Sequence, residues 1–259
     1  MRSIITVLLI ISLNSKTMCQ EQPIQVQCDP ITGLCELPDF KTNNKQVEWN
    51  DYEEIIYVGD PMCSWCWGIS PQINALQRYA NQEHIKFSMI MGGLRPNGGQ
   101  EWDASFRSFL KHHWEEVHKK SGQPFNLSLF EREAFDYNTE PACRAVVTAR
   151  TLAPLKTLAF YELVQYYFYA ASKDPKQVDF YKPICEKLDM DFIKFSETFN
   201  SETLKQATEA DFDNSRQLGI RGFPSVLYRK KDQFYSIANG YTEFEALKRA
   251  ILEVQADKK

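Results

Sequence analysis

The chain has 259 residues, 43% of them hydrophobic and 25% charged, which is enough to bury a sizeable core in an ordinary globular domain. Thirty Lys and Arg against thirty-four Asp and Glu give a formal charge of -4, leaving no basic excess to neutralise a nucleic-acid backbone. An aromatic content of 13% and the lack of any short repeat exclude disordered and collagen-like classes.

Arg2, the apolar run 4–13 and polar residues 14–19 read as a secretory signal peptide over 1–19. The run is about ten residues long where a membrane helix needs about twenty, so no bilayer span is expected. Removal of this segment would leave the mature protein periplasmic or secreted, with a lipid anchor on Cys19 as the alternative. Residues 20–50 are polar, carry Pro23, Pro30 and Pro38, and form an arm without a sustained period. Within the arm, Cys28 and Cys35 flank a turn containing Pro30 and Gly33. A structural loop disulfide between them is expected, and an auxiliary dithiol is the other reading.

Residues 55–58 are an apolar, β-branched run that ends at Gly59-Asp60-Pro61, as a buried strand does. Apolar residues then recur at helical spacing over 66–79, and residues 87–91 form a second strand that stops at Gly92-Gly93. Gly122 is the only glycine between Gly99 and Gly219, and helical spacing runs over 102–119, 143–152, 158–171 and 204–218. Strands over 225–229 and 234–238 and a helix over 244–254 close the chain. The expected order is β-α-β, a helical insertion over about residues 100–219, then β-β-α.

Cys63-Ser64-Trp65-Cys66 stands where a dithiol can react, after a buried strand and at the opening of a helix. Unpaired amides at a helix start favour a thiolate, and thiols near pKa 8.5 fall to about 3.5 to 7.5 in such settings. Cys63 is therefore expected to be an exposed nucleophile with a depressed pKa, and Cys66 the shielded sulfur that resolves the mixed disulfide. Zinc would need two further ligands, and the spacing of Cys28 and Cys35 does not supply them. His112, His113 and His118 lack the spacing that points two imidazoles at one metal. No metal or other cofactor is called for. Cys143 and Cys185 are read as buried small hydrophobes, and the aromatic segment around Tyr161, Tyr166, Tyr167, Phe168 and Tyr169 as core.

The segment 60–68, Asp60-Pro61-Met62-Cys63-Ser64-Trp65-Cys66-Trp67-Gly68, resembles the active-site signature of the DsbA-like branch of thioredoxin-fold proteins. Pro71 is similar to the kink proline of thioredoxin active-site helices. Gly92-Gly93-Leu94, the stretch 141–145 and the stretch 218–225 extend the resemblance to the FrnE-like group of predicted disulfide isomerases. It covers roughly residues 55–254 and implies an α/β thioredoxin fold with a large helical insertion, as one domain over 51–259. It also implies that Phe223 and a cis Pro224 lie against the Cys63 sulfur and that a bound peptide adds to the backbone there as a strand. Ser64 and Trp65, between the cysteines, are expected to join Phe223 and Pro224 in contacting substrate.

The expected function is that of an exported thiol-disulfide oxidoreductase with Cys63 and Cys66 as catalytic residues. Its partners would be protein or peptide thiols and disulfides, with a further redox partner to recycle the dithiol. Two alternatives belong beside it: a glutathione-linked isomerase or transferase of the same fold, and a non-enzymatic periplasmic binding protein whose Cys63-Cys66 disulfide is structural.

Overall fold

The computed structural model describes residues 50–256. The signal peptide over 1–19, Cys19 and the Cys28/Cys35 pair lie outside the described residues. Strand β1 (Asn50–Gly59) is followed by helices α1 (Ser64–Gly68) and α2 (Ser70–Gln82) and by strand β2 (Ile85–Met91). Six helices come next: α3 (Ala104–Ser121), α4 (Glu140–Leu152), α5 (Thr157–Tyr169), α6 (Lys182–Lys187), α7 (Phe192–Phe199) and α8 (Glu202–Gln217). Strands β3 (Ser225–Lys230) and β4 (Gln233–Asn239) and helix α9 (Phe244–Ala256) complete the domain. The strands form one sheet in the order β2-β1-β3-β4. β1 runs parallel to β2 and antiparallel to β3, and β3 is antiparallel to β4. The expected β-α-β, helical insertion, β-β-α order is the observed one.

β1 is central, so its apolar run is buried on both faces. Ile56 and Val58 form a cluster with Leu227 of β3, against which Ile90, Leu218, Ile220 and Phe223 pack. Burying an aliphatic side chain of this size contributes about 1.5–3 kcal/mol, so such a cluster is worth several times any one surface contact. Residues 55 and 57 point to the other face by the two-residue period of a strand. There the Tyr57 hydroxyl meets that of Tyr161 in α5, which ties the insertion to the sheet.

The expected helix over 66–79 is two helices, and Pro71 explains the break. A proline has no N–H to donate to the carbonyl four residues back, here that of Trp67. That oxygen is satisfied instead by the Ser70 hydroxyl at 2.9 Å and the Gln123 amide at 3.2 Å. Helix α3 ends at Gly122, which takes φ 75° and donates its N–H to His118, a left-handed cap that a side chain would resist. Helices α6 and α7 have no counterpart in the sequence analysis. With six and eight residues they are too short to show a period, and packing of Tyr181 and Phe195 against Phe160, and of Phe199 against Tyr181, holds them in place. The aromatic α5 is core as expected, with Tyr161, Tyr166, Phe168 and Tyr169 all buried.

One buried carboxyl joins the insertion to α2: the Asn74 amide donates to Oε1 of Glu162. Burial raises Glu162 from 4.5 to about 8, against smaller lowering effects of Asn74 and Arg78. An acid whose folded pKa is raised adds stability below its unfolded value and loses it as pH climbs through the folded one. The protein should therefore lose stability between about pH 4.5 and 8. Glu162→Gln keeps an acceptor for Asn74, and denaturant melts across this range should show a flatter pH dependence for it than for wild type.

Candidate active site

The chain leaves β1 at Gly59 and turns through residues 60–62 into α1, with Cys63 as the N-cap at φ -88° and ψ 117°. The turn is built on Asp60, which is fully buried. Its Oδ1 accepts the Met62 N–H at 2.8 Å, and its Oδ2 accepts the Leu94 N–H at 2.7 Å and the Thr139 hydroxyl at 2.8 Å. The Cys143 thiol donates to Oδ2 as well, at 3.3 Å. One carboxylate thus gathers the active-site turn, the exit of β2 and the start of α4. Burial raises its pKa, and the four donors oppose that shift. Tyr137, also buried, donates its hydroxyl to the Met62 carbonyl at 2.9 Å and holds the residue before Cys63 from the opposite side.

Cys63, Cys66, Cys143 and Cys185 are all unpaired thiols. The Cys63 thiol donates to the Phe223 carbonyl at 3.6 Å, and the Phe223–Pro224 peptide is cis. The Phe223 ring lies over Gly92, where a Cβ would come within 2.0 Å of it. Gly92 is therefore more than the turn residue expected from the sequence: it extends the β1–β2 pairing by donating to the Gly59 carbonyl and leaves room for Phe223. Ser64 and Trp65 are partly exposed beside the cysteines, and Trp65 meets Tyr241 edge-on at 6.3 Å. On the inner side Trp67 stacks on Tyr169 and donates its indole N–H to the Pro124 carbonyl. The insertion therefore backs α1 directly.

Two expectations about Cys63 need correction. It is 7% exposed rather than open to solvent. The neighbouring Cys66 thiol and burial push its own thiol well up, with Asp60 adding to the rise, while the Cys66 N–H pulls it down. The sequence pointed to a long helix starting at the cysteine, whereas α1 is five residues long and aligns few peptide dipoles behind the sulfur. Burial pushes the Cys143 thiol up too, and both the charge of Asp60 and the hydrogen bond to it act in the same direction.

Cys63, Cys66, Phe223 and Pro224 come together as expected, with Ser64 and Trp65 at the edge of the group. Sequence reasoning gave no part in the site to Tyr57, Tyr137, Thr139 or Tyr161. Asp60 was visible as a turn residue and as the first residue of the signature 60–68 but without a structural role, and the others gain their meaning from partners far along the chain. Among the described residues no group of three or more His, Cys, Asp or Glu is placed to hold a metal ion.

Asp60→Asn keeps one acceptor oxygen and turns a donor toward N–H or O–H groups that need an acceptor. A buried donor left unsatisfied costs about 1–3 kcal/mol, so Asp60→Asn should lower unfolding stability by that amount in denaturant melts. Cys143→Ala, which removes only the weakest of the four donors, should cost less.

The chain matches the DSBA-like thioredoxin domain family over residues 54–252. A protein from Nitrosomonas europaea for which a disulfide isomerase activity has been suggested is 32% identical, with a TM-score of 0.74, over 81% of this chain and 100% of that one. The cytosolic disulfide reductase DsbM from Pseudomonas aeruginosa shares the fold at 21% identity and a TM-score of 0.63, over 78% of this chain and 98% of its own. No curated protein matches the chain. Among the described residues, no helix is long and apolar enough to cross a membrane. With a four-stranded mixed sheet, a helical insertion between β2 and β3, and a match over most of its length, the chain belongs to the DSBA-like thioredoxin domain family.

Proposed function

We propose that the protein is an exported thiol-disulfide oxidoreductase that exchanges disulfides with protein substrates through Cys63 and Cys66. The observation that carries this reading is the pair of free cysteines at the start of α1, with the Cys63 sulfur against the Phe223 carbonyl next to the cis Pro224. In the exchange, the Cys63 thiolate attacks one sulfur of a partner's disulfide. The new Cys63–partner bond forms as the partner's own S–S bond breaks, and Cys66 then displaces the partner from Cys63. Phe223, Pro224, Ser64 and Trp65 would contact the bound chain, whose backbone is received as an added strand.

The burial of Cys63 three residues from the buried Asp60 carboxylate supports a particular direction. Strong oxidants of this chemistry owe their potential to a stabilised reduced form. A buried site beside an anion disfavours the Cys63 thiolate and leaves its disulfide comparatively stable, which favours reduction or isomerisation of substrates over their oxidation. Export rests on the apolar run after Arg2 alone.

Cys66→Ser should accumulate mixed disulfides between Cys63 and glutathione or client proteins, because nothing remains to expel the partner, and Cys63→Ser should trap little. Mass spectrometry of the adducts checks this, and equal trapping by the two variants would overturn the assignment of attacking and resolving sulfurs. Attack by Cys63 should quicken as pH rises, since the hydrogen bond with Cys66 and burial favour its protonated form. Equilibration with glutathione buffers should give a potential more reducing than the roughly -120 mV of a strong oxidant.

A further inference from the structure

The dithiol and the cis Pro224 belong to distant parts of the chain, and the short loop between β4 and α9 touches both. Gly240, just past β4 at φ 98°, donates its N–H to the Pro224 carbonyl at 2.8 Å. At the other end of the loop the Phe244 N–H is accepted by Oε1 of Gln72 in α2 at 3.0 Å, and the Phe244 ring meets Tyr79 of the same helix. Between these two anchors stands Tyr241. Its ring meets the indole of Trp65 edge-on, with centroids 6.3 Å apart and planes at 64°. Trp65 lies between the two cysteines and is partly exposed. The Lys120 ammonium, at the end of α3, stands 5.0 Å from the centre of the Tyr241 ring and 3.7 Å from Oε1 of Glu243.

We propose that Tyr241 is a positioning residue that fixes the Trp65 indole as a platform beside Cys63, and that this platform selects peptide and protein disulfides with an aromatic side chain next to the reacting cysteine. This rests on the exchange reaction proposed above and names its substrate class. A surface indole turns about two side-chain torsions, and a ring held in place before binding has no such freedom left to lose. The edge-on contact with Tyr241 supplies that restraint, and the doubly anchored loop keeps Tyr241 itself in place. Because Gly240 bonds to Pro224, a partner backbone received at Phe223 and Pro224 runs beside the platform. The charges nearby argue for an uncharged occupant. A cationic side chain, which an indole face attracts, meets the like charge of Lys120, and an anionic one finds Lys120 already paired with Glu243. An aromatic side chain gains from the indole face without either conflict.

The test reacts reduced full-length protein with two symmetric peptide disulfides, each made from two copies of a short uncharged peptide whose single cysteine is flanked by phenylalanine or by serine. Oxidation of the dithiol is followed by acid quenching and mass spectrometry. Each second-order rate is divided by that of the same disulfide with dithiothreitol, which removes the peptides' own reactivity. Wild type should favour the phenylalanine peptide about fivefold, the effect of one aromatic contact. Tyr241→Ala and Trp65→Ala should each bring the ratio to within about twofold of unity, whereas Tyr241→Phe, which keeps the ring, should retain it. If Tyr241→Ala does not fold, Tyr241→Leu, which keeps apolar bulk without a ring, should flatten the ratio in its place. A wild-type ratio near unity, a preference that survives loss of either ring, or equal slowing of both peptides by Tyr241→Ala overturns the inference and leaves the exchange reaction standing. If neither peptide oxidises the dithiol, the exchange reaction fails and the role of Tyr241 falls with it.

Discussion

A carboxylate with no exposed surface, Asp60, is the constraint on which the site depends. Taking such a group out of water is costly unless its lone pairs are filled, and here four donors from three parts of the chain fill them. The cost of leaving any of them unmade fixes where the active-site turn, the end of β2 and the start of α4 stand relative to one another. Cys63 inherits its position from that arrangement, three residues beyond Asp60 and hydrogen-bonded to its carbonyl through the Cys63 N–H at 3.0 Å.

The helical insertion contributes to the chemistry as well as to the packing. Thr139 and Cys143 complete the Asp60 network, Tyr137 holds the Met62 carbonyl, and Tyr161 and Tyr169 back Tyr57 and Trp67. All these groups are buried, so hydroxyls and the Asp60 carboxylate stand close behind the active-site turn. In a low-dielectric interior such neighbours act strongly. A nearby carboxylate opposes a thiolate, so the Asp60 charge works against the Cys63 anion, whose sulfur is set against the Phe223 carbonyl. Cys66 is fully buried.

Much of the fold was legible because it rests on local pattern. The run 55–58, the strands near 87–91, 225–229 and 234–238, and the four long helices announce themselves by period and by their bounding glycines and prolines. The dithiol was legible because its spacing is chemical, and Phe223-Pro224 through the resemblance of the stretch 218–225 to the DsbA-like group. Helices α6 and α7 were not, since segments of six and eight residues are held by distant aromatic partners rather than by their own period.

What the tertiary structure alone decided is the electrostatic character of the site. Asp60 next to Pro61 looks like any turn carboxylate until Leu94, Thr139 and Cys143 close on it from 34, 79 and 83 residues away in sequence. Tyr57 looks like one more apolar strand residue until Tyr161, 104 residues on, meets its hydroxyl. By itself the sequence determined which atoms can react, because reactivity lies in residue type and short spacing. It did not determine the burial and charge around those atoms, because these are sums over neighbours that only the folded chain brings together.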